Sequence, residues 1–213
     1  MIRLYYYPSY VSLLPHIVLE EIGLKYELVF ADRYANAHKR PEYLKLNPNG
    51  LIPVLCEGDL VLYEAAAISL HLVDRNPDAG LAPPLGTAER AHFYKWMAWL
   101  ATQLHPALSM YIHPGKWMQE PDSMVALRRN AERRVGDLLD IIDAELATHR
   151  GPWLLGSSYS AIDAYALTLC RWSRRMSRPG AEWPHFGPYA RRVLERPAVR
   201  RAFQQEHLAE PWI

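Results

Sequence analysis

The run Asn-Pro-Asn-Gly-Leu-Ile-Pro-Val-Leu at residues 47–55, followed nine positions later by Glu64 at the head of an apolar helical stretch, is the part of this chain best suited to hold a ligand. Proline has no amide to give to a sheet, so Pro53 belongs at the start or edge of a strand, and the Ile52–Pro53 bond is a candidate for the cis form. Such a bond leaves a backbone edge open. An extended peptide lying there as an extra strand would pair with the N–H and C=O of Ile52. The amides at the N-terminus of the helix after Tyr63 attract a carboxylate. These residue types describe a site for a small peptide-like anion.

The elements that must position it are legible from periodicity. Ile2, Leu4 and Tyr6 alternate with Arg3, Tyr5 and Tyr7, which is strand period, and Pro8 ends the run. Leu13, Leu14, Ile17, Val18 and Ile22 have helical spacing, with Pro15 tolerable in the first turn and Gly23 closing it. Residues 26–31 read as a second strand, and 41–46 as a short helix in an otherwise polar stretch. A hairpin over 53–56 and 60–62 turns at Glu57-Gly58-Asp59, and a helix over 64–75 stops before Asn76-Pro77. The order is βαβ, then ββα. Between residues 77 and 86 lie three prolines and two glycines without periodicity, a linker. Beyond it amphipathic helical stretches cover 87–113, 121–149, 160–178 and 188–207, the last broken at Pro197. Ser160 and Asp163 have capping-box spacing, a structural pair. The expectation is an α/β domain at 1–78, a linker at 79–87 and an all-helical domain at 88–213.

Half of the 213 residues are hydrophobic and the formal net charge is +1, with no basic block, so nucleic-acid and membrane-surface roles are not expected. No run of eighteen apolar residues and no signal-like leader appears, and a soluble cytoplasmic protein is the default. Cys56 and Cys170, the only cysteines, have neither disulfide-framework nor CxxC spacing, and the nine histidines show no clustered ligand pattern. No metal is expected.

Taken together, YYYPSYVSLLPHIVLEEIG at 5–23, PEYLKLNPNGLIPVL at 41–55 and LLGSSYSAIDAYALTLCRW at 154–172 resemble the cytosolic glutathione transferase family, nearest its bacterial classes. The resemblance implies a thioredoxin-like N-terminal domain and an all-α helical-bundle C-terminal domain. It also implies a homodimer joined through the last helix of the first domain and the first two of the second, and a detoxifying transfer of glutathione to a small hydrophobic electrophile. Carried onto this chain, the cysteinyl portion of glutathione pairs with Ile52 before Pro53, and the γ-glutamyl group is held by Glu64 and the Ala65 amide. His38 stands where some classes reach the glycyl carboxylate. An acceptor wall is expected from Trp96, Trp99, Leu100, Leu104, Tyr111 and Trp117. Tyr10, His105, His113 and Trp172 are placed near it.

The chain departs from the family at the reacting sulfur. Thiolate is the nucleophile, and lowering a thiol pKa by two or three units takes about 3 to 4 kcal/mol of preferential interaction with the anion. The position that usually supplies a hydroxyl or thiol is Val11, which has nothing to donate. Ser12 is one replacement, with pure N-capping as its alternative. Tyr6 has the spacing of the catalytic tyrosine in other classes, while its alternation also suits core. Tyr10 and the backbone amides near Val11 complete the candidates. Leu51 and Ala65 replace the family's usual polar residue and serine, each losing about 1.5 to 3 kcal/mol of hydrogen bonding to a charged ligand. A non-catalytic or repurposed ligand-binding member of the fold is the competing reading.

Overall fold

The alternating segment Ile2–Tyr6 forms strand β1, with Ile2 and Leu4 buried on one face. Tyr5 and Tyr7 pack on the other face against a cluster of Ala31, Tyr43, Ile52, Val54 and Cys56. Helix α1, Leu13–Ile22, ends at Gly23, whose φ of +78° suits a residue without Cβ and lets its N–H bond the Leu19 carbonyl. Strand β2, Tyr26–Phe30, runs parallel to β1 in register Tyr6 to Phe30. The short helix α2, Pro41–Leu44, precedes β3, Val54–Glu57, and β4, Leu60–Tyr63. The sheet order is β2-β1-β3-β4, with β3 antiparallel to both of its neighbours. Helix α3, Ala65–Arg75, follows β4 directly.

The computed structural model describes residues 1–148 and 151–213 and divides into two compact units. One is Met1–Ala82 with Glu195–Ala209, and the other is Pro83–Leu194 with Glu210–Ile213. The sequence boundary places residues 88–213 in one helical domain, whereas the last helix, α9 at Pro197–Gln205, groups with the first unit. The reason is chemical. Ala198, Val199, Ala202 and Phe203 are buried along α9, which packs on α1. Just past its end the fully buried Glu206 carboxylate accepts from His16 Nδ1 at 3.0 Å and from the Ser9 N–H at 2.9 Å. His16 Nε2 lies 2.7 Å from Gln205 Oε1 and 3.0 Å from the Tyr26 hydroxyl. Arg196 forks onto Glu21 at 2.5 and 2.8 Å, and Arg201 reaches Glu20 at 2.6 Å. Burial and the Glu20 carboxylate push the Tyr26 phenol well above its ordinary range.

The second unit contains α4, Ala88–Trp99, whose first turn is capped by Thr87 accepting the Arg90 N–H. The stretch expected as one helix over 87–113 is interrupted by a π turn, Leu100–Leu104, before α5, His105–Ile112. Pro106 has no amide for the preceding turn, and the backbone widens to accommodate it. Helix α6, Pro121–Thr148, covers the expected stretch as far as the described residues reach; its expected end at His149 lies outside them. Helix α7, Ala161–Trp172, stops earlier than expected, because the Ser173 hydroxyl donates to the Cys170 carbonyl and accepts the Gly180 N–H. Helix α8, Phe186–Leu194, starts two residues before the expected Pro188 and ends ahead of Pro197.

The Ser160–Asp163 capping box is present. Asp163, fully buried, accepts from the Ser160 N–H at 2.7 Å, the Leu154 N–H at 2.9 Å and the Tyr189 hydroxyl at 2.7 Å. Burial raises its carboxyl above the usual range, against the pull of those three donors. No helix among the described residues is long and apolar enough to cross a membrane.

Replacing Glu206 by alanine strands the buried His16 imidazole and the Ser9 amide together. The expected loss is about 3 to 5 kcal/mol of stability, read as a lower urea midpoint. A change under 1 kcal/mol would show that the buried contact is not holding α9 in place.

Candidate functional site

The loop leading into β3 is held by side chains placed by the Asn-Pro-Asn-Gly turn. The Leu51 carbonyl accepts both the Tyr43 hydroxyl at 2.8 Å and Asn47 Nδ2 at 2.9 Å, while Asn47 Oδ1 takes the Asn49 N–H at 3.0 Å. Gly50 has φ +58°, and a Cβ there would stand 2.9 Å from the His38 carbonyl and 2.7 Å from Lys39 Nζ. This close approach requires glycine. The Ile52–Pro53 bond is cis. Ladder pairing with β1 begins at Val54 opposite Tyr5, so the backbone of Ile52 lies just outside the sheet register.

Glu64 closes the other side. It has φ +72° and ψ 112°, a conformation unusual for a residue with Cβ, and it turns the chain from β4 into α3. Its exposed carboxylate stands at the α3 N-terminus beside Ala65, the first helical residue, where the leading amides have no intrahelical partner.

The loop between β1 and α1 is fixed from two directions. Ser9, at φ +64°, is tied by its N–H to Glu206, and Tyr10 donates its N–H to the Tyr7 carbonyl at 3.1 Å. Ser12 is fully buried with helical backbone and makes no side-chain cap. Its hydroxyl donates to the Tyr7 carbonyl at 3.1 Å and accepts the Tyr7 N–H at 3.3 Å. The expectation that Ser12 caps α1 is therefore corrected, because the strand end competes for the same hydroxyl. Val11 is buried, and the Val11 and Ser12 amides meet no backbone acceptor among the described residues.

Tyr6 lies on the opposite sheet face from Ile52, its ring 6.4 Å from His16 and 6.0 Å from Phe30. Burial, then the Glu206 charge, raises its phenol. Tyr7, which sequence reasoning did not single out, shares the face of Ile52, as strand alternation dictates. Its phenol is also raised, by burial first and then by Tyr34, Tyr10 and Asp32. His38 is buried, Leu51 is 46% exposed, and the exposed Lys39 donates from Nζ to the Asn49 carbonyl at 3.2 Å. Lys39 was also missed; its only sequence signal is its place next to His38.

In the second unit, His105 and Trp172 come together, ring centroids 4.9 Å apart and nearly perpendicular. His105 Nδ1 shares a hydrogen bond of 2.9 Å with the Tyr165 hydroxyl. Trp99 packs against Trp96 at 5.3 Å, and the Tyr111 hydroxyl donates to the Arg175 carbonyl at 2.7 Å. Trp96, Leu100 and Leu104, expected in a ligand wall, are buried core, while Trp117 is 52% exposed.

A thioredoxin-like sheet with a cis-proline loop and an acidic residue heading the next helix, joined to a helical unit, defines the architecture of glutathione-dependent transferases. The chain matches the family model of the glutathione S-transferase N-terminal domain over residues 1–74 and that of the C-terminal domain over 125–196. It is 30% identical to a glutathione S-transferase of Xanthomonas campestris pv. campestris, over 97% of this chain and 99% of that one. A glutathione transferase crystal structure from Methylococcus capsulatus aligns over 98% of this chain and 100% of its own, with a TM-score of 0.85 and 35% identity. A Sulfitobacter glutathione transferase homologue with bound glutathione aligns over 98% and 99%, with a TM-score of 0.89 and 26% identity. The chain belongs to the glutathione S-transferase family.

Burial, with a smaller contribution from Lys116, lowers the His105 imidazole to about 4. It is thus expected to remain neutral down to about pH 5, which its imidazole proton resonance in a pH titration would show. Because the unfolded chain protonates this side chain first, its contribution to stability is complete above pH 6.5. It then diminishes as the pH falls toward 4, by up to roughly 3 kcal/mol. A resonance titrating near 6.5 would contradict the burial.

Proposed function

We propose that the protein is a glutathione S-transferase that joins the glutathione sulfur to a small hydrophobic electrophile. The observation that carries this reading is the backbone of Ile52, outside the ladder beside cis Pro53 and on the face of Tyr7, with Glu64 and the α3 amides at the far end. The cysteinyl unit pairs with Ile52 and the γ-glutamyl group with Glu64 and Ala65. Lys39 supplies the cation for the glycyl carboxylate that Leu51 cannot, with His38 behind it. Tyr10, Trp99, His105, Tyr111 and Trp172 are the proposed acceptor contacts.

Val11 has no donor, and the Ser12 hydroxyl is engaged with Tyr7, so the thiolate falls to the Val11 and Ser12 amides and the positive end of α1. The thiol proton passes to solvent, the sulfur bonds to the electrophilic carbon, and the leaving group departs with its electron pair. A cytoplasmic, detoxifying homodimer is the corresponding context. Val11, Leu51 and Ala65 favour a second reading, a ligand-binding member of the fold without turnover.

Titration with glutathione, followed by tryptophan fluorescence, is expected to saturate. Glu64→Ala should weaken binding about ten- to a hundred-fold. No binding up to several millimolar would sink the transferase reading, and binding without turnover on reactive aryl halides would favour the second. If the amides hold the sulfur, Tyr6→Phe and Ser12→Ala leave the thiolate absorbance of bound glutathione titrating where it does in the wild type. A shift upward in either variant would return that role to the side chain. Light scattering at the chain mass of 24.5 kDa would contradict the dimer.

A further inference from the structure

The parallel pairing of β1 and β2 brings their C-terminal ends side by side, with Tyr6 opposite Phe30 and the Ala31 N–H on the Tyr6 carbonyl at 2.9 Å. Beyond that point the two chain ends build an aromatic surface. The Tyr7 ring stacks on Phe30 at 5.6 Å, meets Tyr10 edge-on at 5.0 Å and meets Tyr34 at 6.3 Å. Phe30 is 54% exposed and Tyr34 91%. The Arg33 guanidinium lies on the Tyr10 ring, 4.7 Å from its centroid.

The Arg33 guanidinium shares this surface with one carboxylate, Asp32, whose charge reaches Tyr7. Asp32, the neighbouring acid, gives one carboxylate oxygen to the Tyr34 and Ala35 amides at 2.9 and 3.1 Å. Arg33 forms no ion pair with a carboxylate among the described residues. Burial first, and then Tyr34, Tyr10 and Asp32, raise the Tyr7 phenol above its ordinary range. A guanidinium resting on an aromatic face keeps its forked N–H edge available to a planar oxyanion. The surrounding rings suit a flat ring by stacking and edge contacts.

The surface also stands at the reacting end of the site. Tyr10 is bonded in sequence to Val11, whose amide is a proposed contact of the sulfur. Strands β2 and β3 flank β1, so the ends of β2 and the Ile52 loop are separated by two strand spacings, roughly 10 Å. That leaves room for a substituted benzene ring together with the hydrogen bond from its acid group to a guanidinium.

We propose that Arg33, lying on Tyr10 beside Tyr7 and Tyr34, makes the acceptor of this protein an aromatic acid, an electron-poor ring whose carboxylate is held by the guanidinium while the sulfur attacks the ring. The inference rests on the reading that glutathione lies along Ile52. It goes further by fixing the chemical class of the second substrate and adding Arg33 as the residue that selects it.

The test uses two acceptors that differ only in charge, 4-chloro-3,5-dinitrobenzoate and its methyl ester. In both, the glutathione sulfur bonds to the carbon bearing chlorine, chloride leaves with the bonding pair, and the thiol proton goes to solvent. Arg33→Gln is expected to lower kcat/KM for the acid on the order of ten-fold, change the ester less than about two-fold, and leave glutathione affinity unaltered. Arg33→Lys should retain part of the preference for the acid. Binding of the unreactive 3,5-dinitrobenzoate and its methyl ester, read by tryptophan fluorescence, gives the same comparison without turnover.

Equal losses on acid and ester, or no loss on either, would overturn the proposal. So would weakened glutathione binding in Arg33→Gln, which would place the guanidinium on the glycyl carboxylate. Failure of wild-type protein to bind glutathione defeats the transferase reading instead, and the unreactive pair then reports on Arg33 independently.

Discussion

Everything at the proposed reacting end depends on one buried carboxylate. Glu206 is fully buried and accepts from His16 in the first helix and from Ser9 in the loop before it. An ionised carboxylate in such a place is tolerable only when its oxygens are hydrogen-bonded and a cation or strong donor faces it. Both oxygens are used here. Because Ser9 holds φ +64°, a region that costs a residue with Cβ free energy, an external tie is needed to keep it there. The segment just past the chain's last helix thus fixes the loop that carries Val11 and Ser12. Contacts separated by 190 residues complete the first unit, so its native packing requires the far end of the chain.

A second regularity follows from where side chains are missing. Val11 and Ala65 offer no donors, and Leu51 offers none to a carboxylate, yet each stands beside backbone that does. The first turns of α1 and α3 leave amides unpaired, and the Ile52 backbone lies outside the sheet. Backbone donors are pre-oriented and lose no rotamer freedom on binding, so they hold an anion at little entropic cost. What they lack is reach. Lys39, tied to the Asn49 carbonyl at the edge of the 47–50 turn, has it.

Much of the first unit was legible in the sequence because its signals are local. The alternation of residues 2–7, the glycine after Ile22, the Gly58-Asp59 turn and the Pro53 position each restrict the backbone without help from distant residues. The cis bond before Pro53 and the Ser160–Asp163 box were read correctly for that reason. Errors fell where a long-range contact outbid a local preference. Ser12 has the look of an N-cap, but Tyr7 offers both a donor and an acceptor to its hydroxyl. Helix α9 continues the helical pattern of the second half, and its packing on α1, with the ion pairs of Arg196 and Arg201 and the His16–Glu206 contact beside it, groups it with the first unit. For Tyr6 the distance from Pro8 and the alternation with Ile2 and Leu4 point different ways, and its ring lies on the face away from Ile52, with Tyr7 on the Ile52 face. Arg33 and Lys39 carry no pattern at all, since a single cation in a polar loop acquires meaning only from what it lies against.

The same physical balance links Val11 to Arg33. Backbone amides and a helix terminus stabilise a thiolate less strongly than a dedicated hydroxyl or imidazolium added to them, so the sulfur is less fully prepared before the acceptor arrives. Rate must then come from the other partner, through an acceptor that is intrinsically electron-poor and held in attacking position. Binding energy from a group remote from the reacting carbon serves that purpose, because it restricts the ring before reaction without touching the bond that changes. In the proposed site the Arg33 guanidinium on Tyr10, one residue before the amides assigned to the sulfur, supplies it. On the proposed reading, a site with valine at position 11 takes a larger share of orientation from the acceptor's acid group.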